Sequence, residues 1–189
     1  MPENTRERII ETVIRLYSQY SYEEISTTQI AEEVGISKGT LYWHFAKKET
    51  MFEEAYGFCY KKMVECAQNG IDDNSPAIDC LKHRIKNLAD LNRIEPHCMQ
   101  VMGKYKKPTS PADGPFPNYY DSVSRDIMKY IGKGLRSKEI VDLPEIFLLQ
   151  TVLFINFGFL DYLSKHPEAY EDESLIDRMI DNLYKSIQP

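Results

Sequence analysis

Hydrophobic positions recur along this chain at intervals of three and four residues, the spacing of amphipathic helices, without a convincing strand-like alternation. Ile9, Val13 and Leu16 mark the inner face of a first helix from about Thr5 to Tyr20. A longer stripe of Phe52, Ala55, Tyr56, Cys59, Met63 and Cys66 predicts a fourth helix from near Lys47 to Gln68, closed by Gly70. Ser75 and Pro76 read as a cap and a helix-opening proline for a fifth helix, which carries Ile78, Leu81, Ile85 and Leu88 and ends before Pro96. A short sixth helix spans roughly His97 to Lys104, and Lys106–Pro117 is a Pro-rich loop. Val123, Ile127, Ile131 and Leu135 mark a seventh helix from about Asn118 to Arg136. Asp142 and Glu145 bracket Pro144 at the start of an eighth, apolar nearly all round from Ile146 to Leu160, so it must be covered on several sides. A ninth, about Ser174 to Ile187, has the broad stripe Leu175, Ile176, Met179, Ile180, Leu183 and Ile187. The predicted class is all-α, with about nine helices.

The second and third helices lie in the most informative stretch, Ser26 to Phe52. Ser26 stands three residues before Gln29, a capping-box spacing. Ile30, Ala31 and Val34 form a short apolar stripe, and Gly35 suits a left-handed C′ position. Ile36 plugs the turn, and Ser37 caps the next helix. Leu41 and Phe45, four apart, share the face that points to a core. Lys38, Thr40, Trp43 and the edges of Tyr42 and His44 are left for another partner, and Gly39 leaves no side chain in the way. The segment Ile36–Lys48 holds three lysines and no acid. Two short helices around a tight turn, the second rich in Lys, Thr and aromatic groups, have the form of a helix-turn-helix that reads DNA.

The run GISKGTLYWHFAKKE resembles the TetR-type (tetracycline-repressor-like) transcription factors, whose pattern is Gly-Val-Ser-x-Gly-x-Leu-Tyr-x-His-Phe-x-x-Lys-Glu. With the preceding helix the match covers about a quarter of the chain. One departure is the pair Ser21-Tyr22, where the family usually has Gly before the aromatic. The resemblance implies a three-helix DNA-binding domain over residues 1–48 and a helical ligand-binding and dimerisation domain over 49–189. It implies that the third helix enters the major groove. Lys38, Lys48 and the Ser26–Thr27 helix start would hold phosphates, as would Tyr42 and His44. Thr40 and Trp43 would meet base edges, both suiting a thymine methyl, with Gly39 permitting close approach.

The resemblance also implies a homodimer through the last two helices on a palindromic operator, released by a small-molecule effector. The candidate wall for an apolar or aromatic effector is Met63, Leu88, Met99, Met102, Tyr105, Phe116, Tyr120, Phe154 and Phe157. Gln150 and Asn156 are polar groups in an apolar helix that need partners, and an effector is one candidate. Family habit favours a repressor.

Composition tempers this picture. The 189 residues carry a net charge of −6, which does not advertise nucleic-acid binding. Residues 1–48 hold six Lys/Arg against seven Asp/Glu, so affinity must come from a local patch doubled by dimerisation. The polar N-terminus does not read as a signal peptide. The Ile146–Leu160 run is shorter than the about 20 residues of a membrane span, so the expected location is cytoplasmic, with no membrane partner. Cys59, Cys66, Cys80 and Cys98 form no CxxC pair and read as reduced thiols. No metal site, cofactor or catalytic grammar surrounds His83, His97 or His166, so no enzyme is expected. The alternative is a helical protein-interaction module without sequence-selective DNA binding.

Overall fold

A computed structural model of the chain describes residues 5–104 and 119–189. Among these residues there are nine α-helices and no strand: α1 (Thr5–Gln19), α2 (Thr27–Val34), α3 (Lys38–His44), α4 (Lys48–Gln68), α5 (Ala77–Ile94), α6 (Pro96–Lys104), α7 (Tyr119–Ser137), α8 (Glu145–Lys165) and α9 (Glu173–Tyr184). Two 3-10 turns, Pro167–Glu171 and Lys185–Ile187, flank α9. The Lys106–Pro117 loop expected from the sequence lies outside the described residues.

The chain divides into two compact units. The first holds α1 to α3, α4 as far as Lys62, and α6 from His97. The second holds the rest of α4, α5 and α7 to α9. The sequence places a boundary at residue 48 and α6 in the body, whereas packing assigns α6 to the first unit.

In the first unit, Ile9, Val13 and Leu16 of α1 are buried with Ile30 and Ala31 of α2 and Leu41 of α3. The Arg8 guanidinium donates to the Val34 carbonyl at 2.5 Å, satisfying a C-terminal carbonyl of α2. No left-handed residue replaces the family's glycine at Ser21, since Lys138 is the one non-glycine residue with positive φ among those described. The turn is held instead by the Ser21 N–H and hydroxyl, which both donate to the Glu24 carboxylate, at 2.8 and 2.7 Å.

In the second unit, α5 packs against α7, α8 and α9. Its first residue follows Pro76, not Ser75, and no side chain at its N-cap bonds the helix start. The Glu139 carboxylate accepts from the Ile78 N–H at 3.4 Å, and hydrogen bonds of this kind, with the Ser137 hydroxyl foremost, hold Glu139 below the usual carboxylate range. Lys82 and Lys86 on α5 pair with Asp181 and Asp177 on α9, at 2.8 and 2.5 Å. Asp172 caps α9 by accepting from the Leu175 N–H at 3.2 Å.

Helix α8 is 21 residues and, by length and composition alone, long and apolar enough to cross a membrane. Leu148, Leu149, Val152, Phe159 and Leu163 nevertheless lie in the buried core of the second unit. Its interior polar residue Asn156 accepts a 2.8 Å hydrogen bond from the buried Tyr184 hydroxyl.

Helix α7 comes close to its neighbours at Gly134. A Cβ there would stand 2.6 Å from Ile140 Cδ1 and Cγ1 and 3.1 Å from Ala77 Cβ. Alanine favours a helix over glycine by roughly 0.5–1 kcal/mol. Overpacking costs about 1–3 kcal/mol, and the buried Ile140 has little room to yield. Gly134→Ala is therefore expected to lower stability by about 1–2 kcal/mol, read as a lower denaturation midpoint at unchanged m-value. A midpoint at or above that of the parent protein contradicts the close approach.

Candidate nucleic-acid interface

The reading surface is built by two capped helices and the turn between them. Ser26 Oγ accepts from the Gln29 N–H at 3.1 Å, and Ser37 Oγ accepts from the Thr40 N–H at 3.0 Å. Gly35 takes φ 75°, which L side chains rarely adopt. From there its N–H donates to the Glu32 carbonyl at 3.1 Å, and the Ile36 N–H donates to Ala31 at 2.9 Å. These bonds close α2 and launch α3, and Leu41 and Phe45 anchor α3 with 0% and 1% exposure.

That anchoring turns the other side of α3 outward. Lys38, Gly39 and Thr40 are exposed, Tyr42 is exposed, His44 is half-buried, and Trp43 is 81% exposed. The Trp43 ring meets the His44 ring edge to face, with centroids 4.7 Å apart. Thr27 Oγ1 and the Tyr42 hydroxyl lie 3.2 Å apart, joining the start of α2 to α3. Thr40 Oγ1 bonds Ser37 Oγ at 2.9 Å. Ser26, Thr27, Lys38, Gly39, Thr40, Tyr42, Trp43 and His44 thus fall on these two helices and their caps.

Lys48 is placed differently. It is half-buried, its ammonium donates to the Tyr22 carbonyl, and it stands 4.0 Å over the centre of the Tyr22 ring. Burial pushes its pKa down. The Tyr22 hydroxyl donates to Glu49 Oε1 at 2.9 Å, and burial with this carboxylate pushes the phenol up to about 12. Lys47, which the sequence reading does not single out, is the exposed lysine at this corner. The adjacent pair Lys47-Lys48 offers no local signal for which ammonium faces outward.

Residues 9–55 match the family model described as bacterial regulatory proteins, tetR family. The HTH-type transcriptional regulator AcrR from Shigella flexneri is 35% identical over 54 residues, which is 29% of this chain and 25% of AcrR. The IcaR negative transcriptional regulator of the biofilm operon in Staphylococcus aureus is 28% identical over 76 residues, 40% of this chain and 41% of IcaR. A bacterial regulatory protein of the tetR family from Rhodococcus RHA1 superposes with a TM-score of 0.81 at 15% identity, covering 98% of each chain. AibR, solved in complex with isovaleryl coenzyme A and operator DNA, superposes with a TM-score of 0.76 at 15% identity, covering 98% of this chain and 99% of AibR. Residues 9–55 carry the TetR-type DNA-binding segment, and the chain as a whole has the fold of these regulators. The matched segment spans less than half the length of these two curated relatives, and the likeness to the solved structures is one of fold.

The residues expected to meet an effector fall in both units. Met63 and Leu88 are buried in the second unit, and Met99 and Met102 are half-buried on α6 in the first. Tyr105 and Phe116 lie outside the described residues, as does the side chain of Tyr120. Asn156 turns inward to Tyr184, while Gln150, Phe154 and Phe157 stand on the exposed side of α8. A cleft of about 150 Å³ in the second unit is lined by Gln68, Ile71, Asp73, Asp126, Lys129 and Tyr130, none of them in the expected wall. Hydrogen bonds from Lys129 and Tyr130 hold the Asp73 carboxyl below its usual range. Asp126 also faces the buried Arg84 guanidinium, 3.9 Å away.

The four cysteines are free thiols, and burial pushes those of Cys66 and Cys80 up, away from the reactive thiolate form. Among the described residues, no group of three or more His, Cys, Asp or Glu is placed to hold a metal.

Proposed function

We propose that this chain is a cytoplasmic transcriptional repressor that reads a palindromic DNA operator as a homodimer and releases it on taking up a small apolar or aromatic molecule. The observation that carries the reading is the outward side of α3. A tryptophan 81% exposed beside exposed Lys38, Thr40 and Tyr42 does nothing for the core. It suits insertion into a major groove, where Thr40 and Trp43 meet thymine methyls. Lys38 and Lys47 supply phosphate charge, with Tyr42, His44, Thr27 and the α2 N-terminus as neutral or dipolar partners.

Dimerisation rests on α8. Ile146, Phe147, Phe154 and Phe157 are exposed along it, an apolar face that a second copy would cover together with the half-buried Leu175, Met179 and Leu183 of α9. A dimer doubles the small basic patch, which answers the acidic charge of the whole chain. Release follows if the effector favours a state in which the two heads no longer match the operator spacing. AibR, with both a coenzyme A ester and operator DNA, is a precedent for the pairing of ligands. IcaR is a precedent for negative regulation. The chain has no assigned catalytic role in this reading.

Selection of bound duplexes from a random DNA pool at two salt concentrations tests it. The expected result is an enriched palindrome bound more weakly at the higher salt. No enrichment at either salt overturns sequence-selective reading in favour of a helical protein-interaction module.

A further inference from the structure

Helix α1 has no basic residue in its last turn to answer its C-terminal carbonyls. The cation comes from the far end of α6. Lys104 Nζ donates to the Tyr17 carbonyl at 2.9 Å and to the Tyr20 carbonyl at 3.4 Å. A lysine among the last carbonyls of a helix is also favoured by the helix dipole. The start of α6 is tied to the same turn. Ser18 donates its hydroxyl to the Arg15 carbonyl at 2.7 Å, leaving its oxygen to accept from His97 Nδ1 at 2.9 Å.

From Lys104 a run of rings leads on. Its ammonium stands 6.0 Å from the Tyr17 ring centre. Tyr17 meets Phe52 edge to face at 5.1 Å, and Phe52 meets Tyr22 edge to face at 4.8 Å. Lys48 closes the run, 4.0 Å over Tyr22 and 5.4 Å from Phe52. Cation–π and edge-to-face pairs depend on geometry, so displacing one member degrades its neighbours. All five residues lie in the first unit, and the run ends where α4 begins, five residues beyond Trp43.

We propose that Lys48 is a positioning residue rather than a phosphate ligand, and that with Tyr22, Phe52, Tyr17 and Lys104 it ties the orientation of α6 to the corner where the recognition helix meets α4. For its bearing on DNA the proposal rests on the reading of the chain as a DNA binder; the ladder itself does not. Two measurements separate the two. The first follows amide hydrogen exchange in the free protein, with Lys48→Met, Lys104→Met, both together, and Lys104→Arg. Lys104→Met is expected to speed exchange over residues 44–52 while the amides of α5 keep their protection, and Lys104→Arg to restore it. Unchanged exchange over residues 44–52 in Lys104→Met overturns the ladder, whatever the DNA result.

The second measures affinity for the selected duplex across several salt concentrations. Lys48→Met and Lys104→Met are each expected to weaken binding several-fold with no change in the slope against salt. The double variant should lose no more than the worse single one, the signature of coupled positions. Removing a true phosphate ligand would instead reduce the slope by about 0.9 for each phosphate it neutralises. That reduction in Lys48→Met, or losses that multiply in the double variant, overturns the proposal.

Discussion

Trp43→Ala is expected to strip the reading head of sequence preference while leaving most of its salt-dependent affinity. The side chain is 81% exposed and lies off the face that buries Leu41 and Phe45, so its loss should change stability by no more than about 0.5 kcal/mol. A good base contact is worth about 1–3 kcal/mol of discrimination. Doubled over two heads, that is roughly thirtyfold to twenty-thousandfold on the preferred duplex, with little change on a scrambled one. Lys38→Ala should do the reverse, weakening both duplexes alike and lowering the salt slope by about 0.9 per head. Competition titrations on the two duplexes make the comparison. Equal losses on both from Trp43→Ala would remove Trp43 from base readout.

The second large effect is expected at α8. Phe154 is 74% exposed, so Phe154→Glu takes nothing from the monomer's core. Across a dimer interface, however, it would place an unpaired carboxylate on an apolar face, at a cost of several kcal/mol. Sedimentation should find monomers at concentrations where the parent protein is dimeric. Operator affinity should fall about a hundredfold or more, because linking two heads commonly adds two to four orders of magnitude. Phe159→Glu is the contrast: Phe159 is buried, so this change should unfold the second unit instead. A Phe154→Glu protein that remains dimeric places the interface elsewhere.

What the sequence discloses about this molecule is local. The Ser26–Gln29 and Ser37–Thr40 caps and the left-handed Gly35 are written within a few residues of each other, and the helices form where those signals stand. The stripes of α5 and α7 likewise follow from the helical period. Phe154 and Asn156 both read from the sequence as candidates for an effector, yet two steps of a helix carry them about 200° apart. The structure turns one outward and the other inward. The turn Pro167–Glu171 has no periodicity to announce it; it is held by the Tyr170 hydroxyl, which donates to the Ala89 carbonyl 81 residues away. Lys48 is illegible for the same reason. Its partner Tyr22 is 26 residues upstream, and neither neighbour of Lys48 in the chain signals that pairing. Residue types at a motif disclose which side chains are present, while long-range packing decides which of them remain available.

The clamp on α1 has a consequence for how the protein is made. A chain emerges from the ribosome at about 5–20 residues per second, N-terminus first. Lys104 lies 84 residues beyond Tyr20, so the end of α1 waits roughly 4 to 17 seconds for its cation. Throughout that interval Tyr17, Tyr22, Lys48 and Phe52 are already in the chain, and the Lys104 end of the run is still to come. If the run sets the recognition helix as proposed, a polypeptide ended before Lys104 is a poor competitor for the sites that finished molecules occupy.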